Sequence, residues 1–135
     1  MRALPPNGSA GRTMSIAIVD DDEAVRVAMK SLVRSVGHHA STFGSAEEFL
    51  KSKQFSNTSC IITDLQMPGL SGLDLQDLLI AEGHRIPIII ITGHPDDNER
   101  ARAMKAGAVA FLSKPVNADH LFDHLEKALK PVPAR

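Results

Sequence analysis

Short apolar runs alternate with longer segments of helical periodicity along the chain from Met14 onward. The runs are rich in β-branched residues, which favour strands. One of them includes the sequence IIII at residues 88–91, which suits a strand buried on both faces. The predicted strands are Ser15–Val19, His38–Phe43, Ser59–Thr63, Pro87–Ile91 and Val109–Leu112.

Between these runs, apolar residues recur three and four positions apart, which predicts amphipathic helices. In the first helix, one such stripe comprises Val25, Met29, Leu32, Val33 and Val36. The helices are predicted from about Glu23 to Val36, from a cap at Ser45 to Gln54, from a cap at Ser71 to Ala81, from Asp96 to Ala106, and from a cap at Asn117 to Pro131. Strict alternation predicts an α/β fold: a three-layer α/β/α sandwich with a doubly wound, five-stranded parallel sheet, (βα)5.

The length of 135 residues favours a single domain, which we assign to residues 14–130. Residues 1–13 contain Pro, Gly and Asn but no apolar run, so we expect a disordered leader and not a signal peptide. Residues 131–135 are a C-terminal tail. The longest apolar run is far shorter than the roughly 20 residues that a membrane helix needs, so no membrane association is expected.

Charge and cysteine content exclude further classes of protein and of binding site. Fifteen basic and sixteen acidic residues give a net charge of −1, which provides no broad positive field for direct nucleic-acid binding. Cys60 is the single cysteine, so no intramolecular disulfide or multi-thiolate zinc site can form. A reducing compartment, the cytoplasm, is the expected location.

Polar residues follow four of the five predicted strands, at the edge where ligands bind in such folds. They are Asp20, Asp21 and Asp22 after the first strand, Asp64 after the third, Thr92 after the fourth and Lys114 after the fifth. Clustered carboxylates repel one another and call for a cation. Mg²⁺ fits an oxygen-only set, with Mn²⁺ as an alternative ion. Asp22 is expected to cap the following helix instead.

Four motifs at these strand ends resemble those of the receiver domains of two-component response regulators, which have a CheY-like, flavodoxin-like fold, and more narrowly those of the FixJ-like branch. The motifs are IVDDDEAVR at residues 18–26, D-x-x-M-P-G at 64–69, ITGH at 91–94 and MKAGAVAFLSKP at 104–115. The resemblance implies the strand order 2-1-3-4-5.

The same resemblance implies that Asp64 is the phosphoacceptor for a phosphohistidine of a sensor histidine kinase. Asp21 would bind Mg²⁺ directly and Asp20 mainly through water. Asp64 and the backbone carbonyl of Gln66 would complete the protein ligands. Phosphoryl transfer depends mostly on positioning and on charge neutralisation, which this set would supply.

Further roles follow from the resemblance. Thr92 and Lys114 would bind phosphoryl oxygens, and Phe111 would be the switch aromatic, without the hydroxyl of the tyrosine often found there. Pro115 is the candidate for a cis peptide bond. Gln66 and His94 would flank the path of the hydrolytic water and set the lifetime of the aspartyl phosphate.

The resemblance implies that the protein is not a conventional enzyme. It would be a phosphoacceptor that catalyses its own phosphorylation and dephosphorylation. Its fourth helix, fifth strand and fifth helix would form the surface for an output domain, a downstream protein or a phosphorylation-dependent homodimer. The chain is expected to be either a stand-alone receiver or the excised receiver of a FixJ-like DNA-binding regulator.

Two alternatives place an enzyme or an electron carrier on a similar fold. A haloacid-dehalogenase-like phosphatase would need an Asp two residues after its nucleophile, where this chain has Gln66. A flavodoxin-like carrier would need a phosphate cradle after the first strand and aromatic rings for the flavin, but the chain has DDDE there and no Trp or Tyr.

Overall fold

The computed structural model describes residues 13–129, so Lys130, the tail and nearly all of the proposed leader lie outside the described residues. The strands are β1 (Ser15–Val19), β2 (His39–Phe43), β3 (Cys60–Asp64), β4 (Ile88–Thr92) and β5 (Ala110–Ser113). The helices are α1 (Glu23–Ser35), α2 (Ala46–Leu50), α3 (Gly72–Ala81), α4 (Asp97–Lys105) and α5 (Ala118–Leu129). The predicted alternation of strands and helices is confirmed.

The five strands form one parallel sheet in the order β2-β1-β3-β4-β5, which confirms the predicted topology. The register aligns the carboxyl ends of the inner strands: Val19 is opposite Thr63, and Asp64 is opposite Ile91. Thr92 is in turn opposite Ser113 of β5. The residues that end β1, β3, β4 and β5 therefore meet at one edge of the sheet.

Helices cover both faces of the sheet, so the core has two parts. On one face, α1 and α5 bury Met29, Val33, Leu121 and Leu125 against the sheet. On the other face, α2, α3 and α4 contribute apolar side chains that include Phe49. All five residues of β4 are buried, as predicted for a strand covered on both faces.

The strands β3, β4 and β5 each begin and end one residue later than predicted. Two details of the predicted helices are also wrong. Helix α2 ends at Leu50 and not at Gln54, because the Ser52 hydroxyl and N–H both bond to the Phe49 carbonyl and close the last turn. A short 3-10 helix at Phe55–Asn57 follows. Val36 was expected on the buried stripe of α1 but is 42% exposed, since it lies beyond the last helical residue.

Among residues 13–129, no helix combines the length and the apolar character needed to cross a bilayer. The single thiol, at Cys60, is buried in the sheet, and burial raises its pKa to about 12.

Candidate functional site

The candidate site lies at the carboxyl edge of the sheet, where four strands end. Asp20 follows β1, Asp64 is the last residue of β3, Thr92 is the last residue of β4, and Lys114 follows β5. Asp64 and Thr92 were predicted just after their strands but lie within them, paired with Ile91 and Ser113. Their backbones are therefore fixed by the ladder of the sheet, which holds the two side chains in defined positions.

Three carboxylates gather at this edge. Asp20 is fully buried, Asp64 is 5% exposed and Asp21 is exposed. One carboxylate oxygen from each lies within 4.8 Å of the others. Asp20 Oδ1 accepts a hydrogen bond from the Asp22 N–H at 2.9 Å, which fixes the orientation of the Asp20 carboxylate.

Asp22 has a different role from its two neighbours. Its Oδ1 accepts hydrogen bonds from the N–H groups of Ala24 at 2.9 Å and Val25 at 3.4 Å. It is therefore the N-cap of α1, as predicted, and its carboxylate is committed to the helix.

Lys114 supplies the positive charge of the site. Its Nζ lies 3.1 Å from Asp20 Oδ2 and 3.4 Å from Asp64 Oδ2. The peptide bond between Lys114 and Pro115 is cis, as the motif implied. Burial alone would lower the pKa of Lys114, but its hydrogen bond to Asp20 and the charges of Asp20 and Asp64 outweigh burial and raise that pKa.

The Asp64 carboxyl group has a pKa above its ordinary value. Desolvation is the main cause, and the negative charge of Asp20 adds to it. The charge and hydrogen bond of Lys114 and a hydrogen bond from the Gln66 N–H act in the opposite direction without cancelling the rise. The ionised form of Asp64 is thus costly in the metal-free fold, and a cation beside it would relieve that cost.

The donor set suits a hard divalent cation. All three side chains offer oxygen, and the buried Asp20 Oδ2 faces the Lys114 ammonium at 3.1 Å. Three carboxylates within reach of one another suit Mg²⁺, which prefers oxygen ligands. Ligation by the Gln66 backbone carbonyl stays a prediction.

Thr92 is fully buried beside this cluster. Its Oγ1 accepts a hydrogen bond from the His94 N–H at 3.1 Å, which leaves its own O–H proton free to donate. The residues Gln66 and His94 are both exposed at the rim of the site. Their positions are compatible with contact to solvent water, and their role in hydrolysis stays a prediction.

Phe111 is buried, 3% exposed, on β5. Arg100 of α4 places its guanidinium carbon 4.9 Å from the centre of the Phe111 ring and donates a hydrogen bond from Nη1 to the Phe111 carbonyl at 3.0 Å. The ring therefore lies inward, covered by a cation from the neighbouring helix.

Sequence reasoning missed three charged side chains that support this region: Arg100, Arg26 and Glu47. Arg26 Nη1 donates to the Asp20 carbonyl at 2.7 Å. Glu47 of α2 accepts a hydrogen bond from Leu70 in the loop after β3. Arg26 lies within the first motif, so its supporting role could have been predicted from the sequence. The contacts of Arg100 and Glu47 join separate elements, and no local pattern in the sequence indicates them.

The comparisons with protein families, curated proteins and solved structures agree on one family. The model of the family described as "Response regulator receiver domain" matches residues 16–126. Response regulator protein TodT of Pseudomonas putida is 45% identical over 122 residues, which cover 90% of this chain and 54% of TodT. Nodulation protein W of Bradyrhizobium diazoefficiens is 48% identical over 108 residues, covering 80% of this chain and 48% of that protein.

Among solved structures, the crystal structure of FixJ-N superposes with a TM-score of 0.79 at 34% identity. The match covers 92% of this chain and 99% of FixJ-N. The chain spans about half the length of the curated relatives it matches.

Proposed function

Because this chain belongs to the family of response regulator receiver domains, we propose that Asp64 accepts a phosphoryl group from the phosphohistidine of a sensor histidine kinase in a Mg²⁺-dependent reaction. The observation that carries the proposal is the position of the Asp64 carboxylate. It is held at the end of a central strand, and one lysine ammonium contacts both this carboxylate and that of Asp20.

In the transfer, an Asp64 carboxylate oxygen attacks phosphorus. A P–O bond forms, the P–N bond to the imidazole breaks, and its electron pair returns to the ring nitrogen. Asp20, Asp21 and Asp64 would hold Mg²⁺, with the Gln66 carbonyl as a further ligand. When bound, Mg²⁺ would neutralise charge on the phosphoryl oxygens.

Two other side chains bind the transferred group in this proposal. Lys114 contacts Asp64 at 3.4 Å before transfer and would pair with a phosphoryl oxygen afterwards. Thr92 has a hydroxyl proton to donate and would bond a second phosphoryl oxygen. Since Thr92 ends β4, its movement would be passed to the following loop and to α4.

The phosphoryl group leaves by hydrolysis, with Gln66 and His94 beside the path of the water. The chain then acts as a phosphoacceptor that promotes its own phosphorylation and dephosphorylation, and not as a conventional enzyme. The surface formed by α4, β5 and α5 would bind an output domain, a downstream protein or a second copy of the chain. Because the relatives include FixJ, named a transcriptional regulatory protein, we propose that the output is DNA binding by a regulator. We also propose that this regulator acts in the cytoplasm.

Amide NMR of the wild-type protein and of Asp64→Asn, recorded with Mg²⁺ alone and with Mg²⁺ plus beryllofluoride, tests this proposal. Beryllofluoride mimics a phosphoryl group on a carboxylate. We expect its addition to shift wild-type amides at Asp64, Thr92 and Lys114 and to leave the Asp64→Asn spectrum unchanged. A wild-type spectrum that does not respond to beryllofluoride in Mg²⁺ would contradict the proposal.

A further inference from the structure

The loop between β3 and α3, residues 65–71, is tied to helix α2 by a side chain that the proposed chemistry does not use. Glu47 Oε2 accepts a hydrogen bond from the Leu70 N–H at 3.1 Å. The two residues are 23 positions apart in sequence. An ionised acceptor makes this bond stronger than one between neutral groups.

The packing around this bond is close. Gly69 has φ +79°, which favours glycine, and a Cβ at this position would overlap Glu47 Oε2. The positive φ therefore favours glycine here, and an added Cβ would push the end of the Glu47 side chain aside. Glu47 itself has a rigid support, because its helix neighbours Ala46 and Phe49 are fully buried.

The rest of the loop has few polar restraints. At the base of the loop the Gly72 N–H bonds to the Leu65 carbonyl at 2.9 Å, and the Ser71 N–H bonds to Asp74 Oδ2 at 3.0 Å in the cap of α3. Within residues 13–129, no hydrogen bond between backbone groups begins or ends at residues 66–70. The bond from Leu70 to Glu47 is therefore the hydrogen bond that ties residues 66–70 to helix α2.

We propose that Glu47 is a positioning residue for the Asp64 site. By fixing Leu70 and Gly69, it limits the movement of the loop that begins at Gln66 and so holds the Gln66 backbone where it borders the carboxylates. The inference rests on the proposed function, because Gln66 is the expected carbonyl ligand of Mg²⁺. Residues that orient a ligand typically affect metal affinity without touching the metal.

The first test is made without metal, on the full chain. Hydrogen exchange of the Leu70 amide, measured by NMR, should accelerate about tenfold or more in Glu47→Ala, because its charged partner is lost. Glu47→Gln keeps an acceptor and should show a smaller increase. The matched control is Glu48→Ala, which removes a carboxylate from the same helix that bonds to the Gly44 N–H instead, and it should leave Leu70 exchange unchanged.

The second test is the Mg²⁺ affinity of the same proteins, measured by titration of amide shifts. Glu47→Ala should weaken Mg²⁺ binding by about tenfold, Glu47→Gln should restore part of it, and Glu48→Ala should match the wild type. Gly69→Ala should displace the Glu47 carboxylate and also accelerate Leu70 exchange. In the double variant Glu47→Ala/Gly69→Ala, the two effects on that exchange should not add.

Faster Leu70 exchange with unchanged Mg²⁺ affinity in Glu47→Ala would overturn the inference, since the contact would then be purely structural. Wild-type protein that binds no Mg²⁺ would overturn both this inference and the proposed function. Wild-type protein that binds Mg²⁺ but does not respond to beryllofluoride would contradict the proposed function alone. Leu70 exchange and Mg²⁺ affinity would then still decide the role of Glu47.

Discussion

At the scale of single residues, three consecutive aspartates after β1 have different environments. Asp20 is buried and paired with Lys114, Asp21 is exposed, and Asp22 is bonded to the first turn of α1. The chain direction at the end of the strand, and not the residue type, decides which carboxylate is free for a metal.

This difference predicts opposite phenotypes for two adjacent substitutions. Asp22→Ala should lower the free energy of unfolding by about 1 kcal/mol, because α1 loses its N-cap, while Mg²⁺ affinity is retained. Asp21→Ala should leave metal-free stability nearly unchanged and weaken Mg²⁺ binding. Urea unfolding and a Mg²⁺ titration of both variants check this, and a loss of Mg²⁺ affinity in Asp22→Ala would contradict the assignment.

The raised pKa of Asp64 predicts a pH-dependent effect on stability. The folded protein binds the Asp64 proton more tightly than the unfolded chain does, so the contribution of this group to stability falls as pH rises from its ordinary pKa of 3.8 through the raised value. Asp64→Asn removes this loss. In chelator at pH 7, we expect its unfolding midpoint to exceed that of the wild type.

The same comparison has two internal checks. The advantage of Asp64→Asn should shrink as pH falls to the range where the wild-type carboxyl is protonated, and it should be reduced or reversed in Mg²⁺, which stabilises only the protein that binds it. If Asp64→Asn were less stable than the wild type at pH 7 without metal, the assigned cost of ionising Asp64 would be wrong.

The exposed residues Gln66 and His94 at the rim of the site lead to a prediction about the rate of dephosphorylation. Gln66→Ala and His94→Ala should change the half-life of the aspartyl phosphate, because each removes a polar side chain beside the expected path of water to Asp64. Decay is followed after removal of a small phosphodonor, and stability is measured in parallel to exclude unfolding. Half-lives equal to that of the wild type in both variants would refute this role.

At the scale of elements, the contact of α4 with β5 links the candidate site to the expected output surface. Arg100 bonds to the Phe111 carbonyl and covers its ring, and Phe111 lies three residues before Lys114 on the same chain segment. A displacement of α4 would therefore change the surroundings of Phe111 directly. Since Phe111 has no hydroxyl, coupling at this position depends on packing and on Arg100.

This contact predicts unequal effects for two arginines of one helix. Arg100→Ala should lower the free energy of unfolding by about 1–2 kcal/mol, because a hydrogen bond and a cation–π contact are lost together. Arg102→Ala, which removes an exposed ion pair with Asp77, should cost less than about 1 kcal/mol. Urea unfolding measures both, and equal costs would mean that the Phe111 contact contributes nothing beyond surface charge.

The elements also show what local sequence could predict. The order and type of the five strands and the five α-helices followed from periodicity and caps, as for Ser45 and Asn117. The end of α2 did not, because a hydroxyl at Ser52 competes with the helix for the Phe49 carbonyl, and no repeat in the sequence reveals that competition. Phe55 then packs edge-on against Phe49, with ring centres 5.4 Å apart, so tertiary packing determines this segment.

At the scale of the whole molecule, the parallel sheet turns four separate motifs into one site. The register places the ends of β1, β3, β4 and β5 side by side, so residues as distant in sequence as Asp20 and Lys114 come within 3.1 Å. Strand ends could be read from the sequence, and hence so could the members of the site. The supporting contacts of Glu47 and Arg100 could not, since they depend on how α2 and α4 pack.

The most direct measurement of the central claim is mass spectrometry of the protein after treatment with acetyl phosphate, with Mg²⁺ in one sample and chelator in the other. We predict a single added phosphoryl group in Mg²⁺, located on the peptide that contains Asp64, and none in chelator or in Asp64→Asn. A phosphoryl group on another residue, or equal labelling without Mg²⁺, would contradict the account.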